Sequence, residues 1–493
     1  MRLRELLRDL ESKTVTGPDD VEVTQIAYDS RKVTPGSLFF SIAGLRSDGL
    51  AFFKDALASG AVGVVSDRDV EVAGATRVLV PDVRKALALA ACRFHGHPSR
   101  RLKTVGITGT NGKTTVSYLV KSVCSEAGLK AGVVGTIGYD LGDVRLKGAY
   151  TTPEAPDFQE LLAGMLRRGM THAAVEVSSH ALAQRRSYGT EFDVVVFTNL
   201  SRDHLDYHNT FEEYRDAKLR LFMKAERGTA LKSPVCVLNA DDPAHPAFRD
   251  AAVASGDPVC MYSLAAAADV SATDVELLPG GSVFLLVWKG KRLKVRLSVP
   301  GVFNVMNALA GFGAGVSLGI DPAVVVAGLE ALKGVRGRIE RVDAGQDFSV
   351  FIDYAHTPDA LGNILRTVRQ LTERELICVF GCGGDRDRGK RSEMGAVSGS
   401  LADLTVITSD NPRSEEPLSI IAQIEEGVKR AGGRYAVLPD RREAIRTALA
   451  GAGQGDSVVI AGKGHEDYQI VGTEVRHFDD REVAEEFLCA RRE

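Results

Sequence analysis

Apolar residues fall into short continuous runs that alternate with longer amphipathic segments along most of the chain. In the middle of the chain, these runs predict buried strands at Thr104–Thr108, Ala131–Gly135, His172–Val177, Asp193–Thr198 and Val235–Asn239. Continuous apolar strands are typical of parallel sheets that are covered on both faces. The pattern therefore predicts an α/β fold with a mostly parallel central sheet and helices on both faces, and the Thr108–Thr115 motif described below makes it a sheet of the phosphate-loop type.

The flanking regions show a similar alternation. Towards the N-terminus, short strands are predicted at Val23–Ile26, Ser37–Ile42 and Ala61–Val65, with helices at Phe52–Ser59 and Val83–His95. Towards the C-terminus, a Rossmann-like sheet is predicted from strands at Ser349–Ile352, Leu376–Phe380, Leu404–Thr408 and Ser457–Ala461. Breaks near His97-Pro98-Ser99 and Gly334-Val335 give three predicted domains, residues 1–99, 100–335 and 336–493.

Composition agrees with a soluble enzyme-sized protein. A chain of 493 residues is too long for one ordinary core, and 44% hydrophobic with 26% charged residues is typical of globular domains. The net charge of −4 gives no reason to expect nucleic acid or an anionic membrane as partner. No run reaches the ~18 apolar residues of a membrane span, and the N-terminus does not resemble a signal peptide.

The seven cysteines are scattered, which favours reduced thiols and a cytoplasmic location. Cys378 and Cys382 are the closest pair, but no second Cys or His pair follows at zinc spacing. We therefore expect these two residues to be core or loop thiols.

The most informative motif is Thr108-Gly109-Thr110-Asn111-Gly112-Lys113-Thr114-Thr115. It lies between a predicted strand and a predicted helix, as a phosphate-binding loop does. Glycines let main-chain N–H groups approach phosphate oxygens, Lys113 can reach the outer phosphates, and the Thr114 hydroxyl can hold Mg²⁺. The first glycine of the common form is replaced by Ile107, so the loop is a variant that starts at Gly109. A glycine-rich turn without a ligand is the alternative.

Polar residues follow the strands that neighbour this loop. Glu176 lies at the end of one predicted strand, and the segment Thr198–Asp206, which contains His204, ends the next. Since hard cations prefer oxygen ligands, Glu176 is a candidate for Mg²⁺, with a structural cap as the alternative. His204 is less certain by spacing alone, because most loop histidines form hydrogen bonds at the surface.

Four polar loops follow strands of the C-terminal region: Asp353–His356, Gly381–Arg386, Asp410–Arg413 and Gly462–Glu466. Loops at the carboxyl ends of successive parallel strands lie at one edge of the sheet and can share a cleft. The alternative is that glycine and charge mark solvated loops. The Gly381-Cys-Gly-Gly stretch lacks the full spacing of a dinucleotide fingerprint.

Together these motifs, with Gly337-Arg338-x-Glu340, resemble the Mur ligases, which form amide bonds of peptidoglycan precursors at the expense of ATP. The resemblance runs in order along essentially the whole chain. The Asp410-Asn-Pro-Arg and Gly462-Lys-Gly-His-Glu loops resemble those of the members that add the third residue of the stem peptide. It implies three domains: one for the UDP end of the substrate, one for ATP and one for the incoming amino acid.

The resemblance also implies roles for individual residues. Matching positions for the UDP-muramoyl-peptide are Ser30, Thr151, Thr152, Ser178, Gln184 and Arg186. Those for ATP are Gly109, Thr110, Asn111, Gly112, Lys113, Thr114, Thr115, Asn304, Arg338 and Asp353. Metal positions are Thr114, Glu176, His204 and Lys218, the last as a carbamate, and the expected catalytic residues are Lys113, Lys218, Glu176 and His204. By its helical pattern alone, Lys218 is predicted to be a surface lysine.

For the amino acid, the matching residues are Arg386, Asp410, Asn411, Pro412, Arg413, Gly462 and Glu466. Family members mostly use meso-2,6-diaminopimelate or L-lysine, which differ by one distal carboxylate. Arg413 can offer that carboxylate a planar fork, on a loop stiffened by Pro412, while Glu466 can accept the distal ammonium. The resemblance thus implies ATP-dependent addition of diaminopimelate to UDP-N-acetylmuramoyl-L-alanyl-D-glutamate through an acyl phosphate. By spacing alone, Arg413 could equally cap a surface loop.

Other functions are open at this point. Folylpolyglutamate synthase shares the variant phosphate loop but lacks a UDP-binding first domain and the Asp-Asn-Pro-Arg loop. A nucleotide-operated switch or a transport ATPase subunit would hydrolyse ATP without amino-acid dependence, and a non-catalytic binding protein would not need the metal positions. We expect a monomeric cytoplasmic ligase with ATP, Mg²⁺ and a carbamylated Lys218, and no nucleic-acid or membrane partner.

Overall fold

The computed structural model describes residues 1–44, 47–72, 74–228, 232–278 and 280–490. Residues 491–493, the end of the predicted third domain, lie outside the described part. Three large sheets follow one another along the chain: an N-terminal sheet, a central sheet and a C-terminal sheet. The predicted α/β class is confirmed. The exact domain boundaries stay predictions.

The N-terminal sheet has the strand order β1-β5-β4-β3-β2, in which only the β1–β5 pair is antiparallel. Its strands are β1 (Thr14–Thr16), β2 (Gln25–Ala27), β3 (Ser37–Phe40), β4 (Gly63–Ser66) and β5 (Thr76–Leu79). The helices of this region are α1 (Leu3–Leu6), α2 (Phe53–Ala58), α3 (Val83–Phe94) and α4 (Pro98–Arg101). The predicted strands and helices are found here with small shifts of their ends, whereas β1 and β5 were not predicted.

The central sheet is eleven-stranded, with the order β16-β15-β14-β13-β12-β11-β6-β10-β7-β8-β9. Its strands are β6 (Lys103–Thr108), β7 (Ala131–Gly135), β8 (Gly138–Asp140), β9 (Arg145–Leu146), β10 (His172–Glu176), β11 (Val194–Phe197), β12 (Val235–Asn239), β13 (Val259–Ser263), β14 (Val270–Leu278), β15 (Gly281–Trp288) and β16 (Lys291–Leu297). Its helices are α5 (Lys113–Glu126), α6 (Ala155–Arg167), α7 (Ser179–Ala183), α8 (Leu205–His208), α9 (Phe211–Leu219), α10 (His245–Ala254), α11 (Val302–Ser317) and α12 (Pro322–Ala331).

Alternate residues of the central strands enter two different cores, because successive side chains of a strand point to opposite faces. On β11, Val194 and Val196 pack with residues of α5 and α11, whereas Val195 and Phe197 pack with residues of α6 and α10. Both faces of the parallel part are therefore covered, as the apolar runs predicted.

The C-terminal sheet has the order β17-β18-β22-β19-β20-β21, with only β17 antiparallel to its neighbour. Its strands are β17 (Glu340–Val342), β18 (Ser349–Asp353), β19 (Leu376–Phe380), β20 (Leu404–Ile407), β21 (Tyr435–Val437) and β22 (Ser457–Ala461), and β23 (Tyr468–Val471) forms a separate hairpin with β24 (Glu474–His477). The helices are α13 (Pro358–Arg369), α14 (Gly389–Leu401), α15 (Pro417–Arg430), α16 (Arg441–Gly451) and α17 (Asp480–Ala490). None of the helices in the described part of the chain combines the length and the hydrophobicity that a membrane span requires.

Candidate active site

The phosphate loop connects β6 to the first turn of α5, as predicted. Gly112 has a φ of +85° and precedes the helix, which begins at Lys113. Gly109 has a φ of +146°, and a Cβ atom placed on it would lie 1.9 Å from Thr198 Oγ1. A side chain cannot be fitted at Gly109 without moving the neighbouring strand end, which explains why the variant loop has glycine at this position.

Two lysines converge on this loop: Lys218, which is buried, and Lys113, which is half-buried. Lys113 Nζ donates to the carbonyl oxygens of Gly109 (2.9 Å) and Thr110 (2.7 Å), and Lys218 Nζ donates to the same Gly109 oxygen (2.8 Å). Burial lowers the pKa of Lys113 and lowers that of Lys218 well below its usual value, with Lys113 as a second cause for Lys218. The prediction of a surface lysine from the helical pattern was wrong, because α9 turns Lys218 inward, 4.5 Å from the Tyr214 ring.

Glu176 lies beneath the loop and is fully buried. Its Oε2 accepts hydrogen bonds from Thr114 Oγ1 (3.0 Å) and Thr136 Oγ1 (2.9 Å), and its Oε1 accepts one from Thr136 N (3.0 Å). Adjacent oxygen ligands of an octahedral Mg²⁺ at its usual bond length are separated by about 3 Å, so the Thr114–Glu176 oxygen pair fits this ion. Within the described residues, no group of three or more His, Cys, Asp or Glu side chains could hold a metal. The protein therefore offers a partial oxygen site that would need further ligands.

His204 lies in the loop after β11, with a φ of +56° just before α8. Its Nε2 is 3.3 Å from Asp203 Oδ2, and its ring packs edge-on against His180, with 4.7 Å between centroids. Burial lowers the pKa of His204 well below its usual value, so the imidazole is neutral near pH 7. A neutral imidazole is the form that can bind a metal.

Residues of the C-terminal region reach over the phosphate loop. Arg338 Nη2 donates to Thr114 Oγ1 (3.1 Å), and its guanidinium lies 4.6 Å from the Tyr354 ring centroid. Asp353, whose pKa is raised by burial, accepts from the main-chain N–H groups of Ile339 (2.6 Å) and Ala355 (2.8 Å). Arg338 and the phosphate loop are thus brought together across 224 residues of sequence.

One residue at this site was missed from the sequence. Asn307 follows Asn304 by one helical turn of α11, and its Nδ2 donates to Asn304 Oδ1 (3.1 Å). Its own Oδ1 would lie 2.3 Å from a Cβ atom on Gly112, so it packs directly beneath the phosphate loop. The Asn-x-x-Asn spacing at the start of an apolar helix was the available signal, since a buried amide in such a helix needs a partner.

The residues predicted for the muramoyl-peptide are linked by hydrogen bonds around Arg186. Its Nη1 donates to Thr152 O (2.9 Å), and its Nη2 donates to Gln184 Oε1 (2.9 Å) and lies 2.9 Å from Glu154 Oε1. Thr152 Oγ1 in turn donates to Glu176 O (2.7 Å) and accepts from Ser178 N (3.1 Å), while Thr151 Oγ1 lies 3.1 Å from Thr136 Oγ1. This network therefore connects the predicted substrate residues to the strand end that carries Glu176.

Ser30 lies apart from this group. It opens a short 3₁₀ helix, Ser30–Lys32, in the N-terminal region, where Asp29 accepts a hydrogen bond from Arg31 N (3.1 Å). Ser30 does not line either of the two cavities described below. Its predicted contact with the UDP end stays a prediction.

The loops predicted for the amino acid do meet at one edge of the C-terminal sheet. Asn411 Nδ2 donates to Glu466 Oε2 (2.9 Å), and Arg413 Nη1 donates to Gly384 O (2.8 Å). Gly384 is required here, because a Cβ atom on it would lie 1.9 Å from Pro412 O. Similarly, Gly462, with a φ of +111°, lets Asp410 approach, and its Cβ would be 2.8 Å from Asp410 Oδ2. Arg386 lies at the exposed rim.

Two ion pairs hold these loops from below. Arg441 and Asp480 are fully buried and joined by two hydrogen bonds of 2.7 Å, and Arg441 also donates to the carbonyls of Ala461 (2.9 Å) and Ser409 (3.3 Å). Arg391, also fully buried, donates to both carboxylate oxygens of Glu415 (2.9 and 3.0 Å). The first pair ties the ends of β20 and β22 to α16 and α17, and the second ties α14 to the loop that contains Glu415.

Two adjoining cavities join these parts. A cavity of about 290 Å³ is lined by Thr110–Thr115, Glu176, Lys218, Arg338 and Asp353, among others. A larger one of about 1400 Å³ is lined by Gln184, Arg186, Arg386, Asp410, Asn411, Arg413, Gly462 and Glu466, among others. Both are lined by Thr136, Thr151, Ser178, Asp203, His204, Tyr354 and His356. A smaller cavity at the phosphate loop thus opens onto a larger cleft at the C-terminal loops.

Three family models match the chain. They are the Mur ligase family catalytic domain at residues 22–95, the Mur ligase middle domain at 107–315 and the Mur ligase glutamate ligase domain at 337–464. Their order matches the order of the three sheets.

Full-length relatives agree with these models. The UDP-N-acetylmuramoyl-L-alanyl-D-glutamate–2,6-diaminopimelate ligases of Syntrophomonas wolfei and Geobacillus thermodenitrificans are 45% and 44% identical to this chain, over 99% and 100% of both partners. A solved structure with the same enzyme name is 33% identical, with a TM-score of 0.71 over 100% of this chain and 99% of its own. The chain belongs to the Mur ligase family.

Proposed function

We propose that this protein joins meso-2,6-diaminopimelate to UDP-N-acetylmuramoyl-L-alanyl-D-glutamate at the expense of ATP, in peptidoglycan precursor synthesis. The observation that carries the proposal is the adjoining pair of cavities. One has a phosphate loop in its wall, and the other has the Asp410–Arg413 and Gly462–Glu466 loops. Full-length similarity to relatives that bear this enzyme name supports the same assignment.

In the first step, a carboxylate of the dipeptide's glutamate attacks the γ-phosphorus of ATP, and ADP leaves as an acyl phosphate forms. Lys113 would exchange the Gly109 and Thr110 carbonyls for phosphate oxygens and offset the charge that develops on them. The N-terminus of α5 adds main-chain N–H groups aimed at the same oxygens. Mg²⁺, held by Thr114, Glu176 and His204, would supply further charge neutralisation at the phosphates.

Lys218 is proposed to act as a carbamate. A neutral amine attacks CO₂, and the loss of one proton leaves an anionic carbamate in place of an ammonium. Burial favours the neutral amine of Lys218, so the reacting form is available at neutral pH. The carbamate would add the oxygen ligands that the Thr114–Glu176 pair lacks, whereas an ammonium at this position would repel the metal.

In the second step, the neutral amine of diaminopimelate attacks the acyl carbon, phosphate leaves and the amide forms. Arg413 would bind the distal carboxylate, and Glu466 with Asp410 the distal ammonium. Tyr354 and His356 line both cavities, so the C-terminal region covers the junction where the amine and the acyl phosphate must meet. Exclusion of water there protects the acyl phosphate from hydrolysis.

The N-terminal sheet with Ser30 would bind the UDP group, and the chain would work as a cytoplasmic monomer. One chain supplies the residues proposed for each substrate, so a second copy is not required for catalysis. Analytical ultracentrifugation of the active enzyme tests this part, and activity confined to a dimer would contradict it.

The test is phosphate release from ATP with UDP-N-acetylmuramoyl-L-alanyl-D-glutamate present, with and without diaminopimelate. We expect release to require both the UDP-dipeptide and the amino acid. Release without an amino acid would favour a nucleotide switch or an ATPase. Activity with a folate and glutamate would favour folylpolyglutamate synthase, although the matched N-terminal region argues against that enzyme.

A further inference from the structure

Lys463 lies inside the loop Gly462–Glu466 and has no role in the function proposed above. Its side chain is fully buried. Its Nζ donates to Asn411 Oδ1 (3.2 Å) and Glu466 Oε2 (3.4 Å), lies 3.9 Å from Asp410 Oδ1, and is 5.6 Å from the Tyr468 ring centroid. Burying an ammonium is unfavourable unless such partners compensate its charge. The polar groups of the pocket therefore hold the Lys463 ammonium in place.

The lysine determines how the Asn411 amide is oriented. Asn411 Oδ1 faces two groups that can only donate, Lys463 Nζ and the main-chain N–H of Ile470 (3.0 Å). The amide oxygen must therefore point towards them, which leaves Nδ2 to donate to Glu466 Oε2 (2.9 Å). Lys463 thus positions the Glu466 carboxylate both directly and through Asn411.

It also sets the charge of the pocket. The buried Asp410 and the half-buried Glu466 are two neighbouring carboxylates, and the buried Lys463 is the cation between them. Burial and Asp410 raise the pKa of Glu466, whereas Lys463 lowers it and so favours the ionised carboxylate. The formal charges of Asp410, Glu466 and Lys463 sum to one negative charge, which matches one distal ammonium, and Arg413 can then bind one distal carboxylate.

We propose that Lys463 is a specificity-determining residue, which fits the pocket to an amino acid whose far end carries both an ammonium and a carboxylate. Without this internal cation, two uncompensated carboxylates would repel the distal carboxylate of diaminopimelate and would favour a side chain that ends in an ammonium alone. This inference rests on the proposed function, because it concerns the amino acid that the ligase takes.

The experiment compares Lys463→Met with the wild type and with Lys429→Met, a matched change at an exposed lysine of α15. We expect Lys463→Met to lower kcat/KM for diaminopimelate by about 30-fold or more, mainly through KM, because it leaves buried charges unpaired. KM for ATP and for the UDP-dipeptide should change less than about twofold, and the preference for diaminopimelate over L-lysine should fall about tenfold or more. Lys429→Met should match the wild type.

A second variant separates charge from hydrogen bonding. Lys463→Gln keeps N–H donors for Asn411 and Glu466 but removes the charge, and we expect it to lose the same selectivity. If thermal unfolding measurements show that Lys463→Met is not folded, the result for Lys463→Gln decides the question. An unchanged preference for diaminopimelate in either folded variant, or equal rises in KM for all three substrates, overturns the inference. Failure of the wild type to use diaminopimelate would instead overturn the proposed function.

Discussion

The phosphate loop and the cluster of C-terminal loops occupy the same place in two sheets, the carboxyl ends of parallel strands, but they are built differently. In the phosphate loop, the lysines bond to main-chain carbonyls, and glycines set the shape. In the C-terminal cluster, side chains bond to side chains, as Lys463, Asn411 and Glu466 do. A site built from main-chain groups suits a phosphate, which many enzymes bind, whereas a network of side chains can be made specific for one amino acid.

The largest effect is expected from a substitution in the phosphate loop. Lys113→Ala removes the charge that would offset the transferring phosphoryl group, and we expect amide formation to fall by about 10³-fold or more. The fold should persist, because the loop is shaped by glycines and by α5. Turnover and thermal unfolding are measured together, with the exposed Lys130→Ala as control. Wild-type turnover in Lys113→Ala would remove the loop from the mechanism.

A second variant tests whether Lys218, beside the phosphate loop, is chemically modified. Lys218→Ala removes the proposed carbamate, and we expect an inactive enzyme that short-chain carboxylates partly rescue by supplying an anion for the metal. Lys224→Ala, an exposed lysine five residues from the end of α9, should have no effect. Full activity of Lys218→Ala in the absence of CO₂ and at low Mg²⁺ would contradict the carbamate.

The third prediction concerns a substitution in the C-terminal loop cluster that leaves the phosphate loop intact. Arg413→Ala should lower kcat/KM for diaminopimelate by about 100-fold, because the distal carboxylate loses a charge-assisted partner. KM for ATP should stay within about twofold of the wild type. Arg442→Ala, at an exposed arginine of α16 paired with Glu486, is the control. Equal losses with diaminopimelate and L-lysine would show that Arg413 does not recognise the distal carboxylate.

The smallest effect concerns stability and pH. The hydrogen-bonded pair with Arg391 is the largest cause that lowers the pKa of Glu415 from 4.5 to about 2. A lowered carboxyl pKa stabilises the folded state fully above pH 4.5, and this contribution is lost as the pH falls towards 2. Glu415→Gln should therefore be less stable than the wild type near pH 7, and the difference in melting temperature should shrink between pH 4.5 and 2. A constant difference across that range would contradict the assignment.

Much of the phosphate-loop half was predictable, because glycine spacing and strand–loop–helix order are local features of the sequence. The Asp410–Arg413 loop was also found from its motif and its place after a strand. The burial of Lys218 was not predictable from α9, since its short amphipathic pattern does not show which face meets the phosphate loop. Lys463 was missed because Asn411 and Asp410, two of its partners, lie in another loop. Asn307 was missed although its partner Asn304 lies one helical turn earlier, because the phosphate loop that it packs against is distant in the sequence. The strands β14 and β23 were missed, since much of each is only half-buried or exposed and lacks an apolar run.

The identity of the amino acid that the enzyme joins to the UDP-dipeptide decides between the proposed function and its alternatives. The most direct measurement gives the enzyme ATP, Mg²⁺, UDP-N-acetylmuramoyl-L-alanyl-D-glutamate and equal concentrations of meso-diaminopimelate and L-lysine, and identifies the products by mass spectrometry. We predict the diaminopimelate tripeptide in an excess of about 100-fold or more, with one phosphate released per amide formed. Comparable amounts of the lysine product, or phosphate release without a tripeptide, would contradict the proposed function.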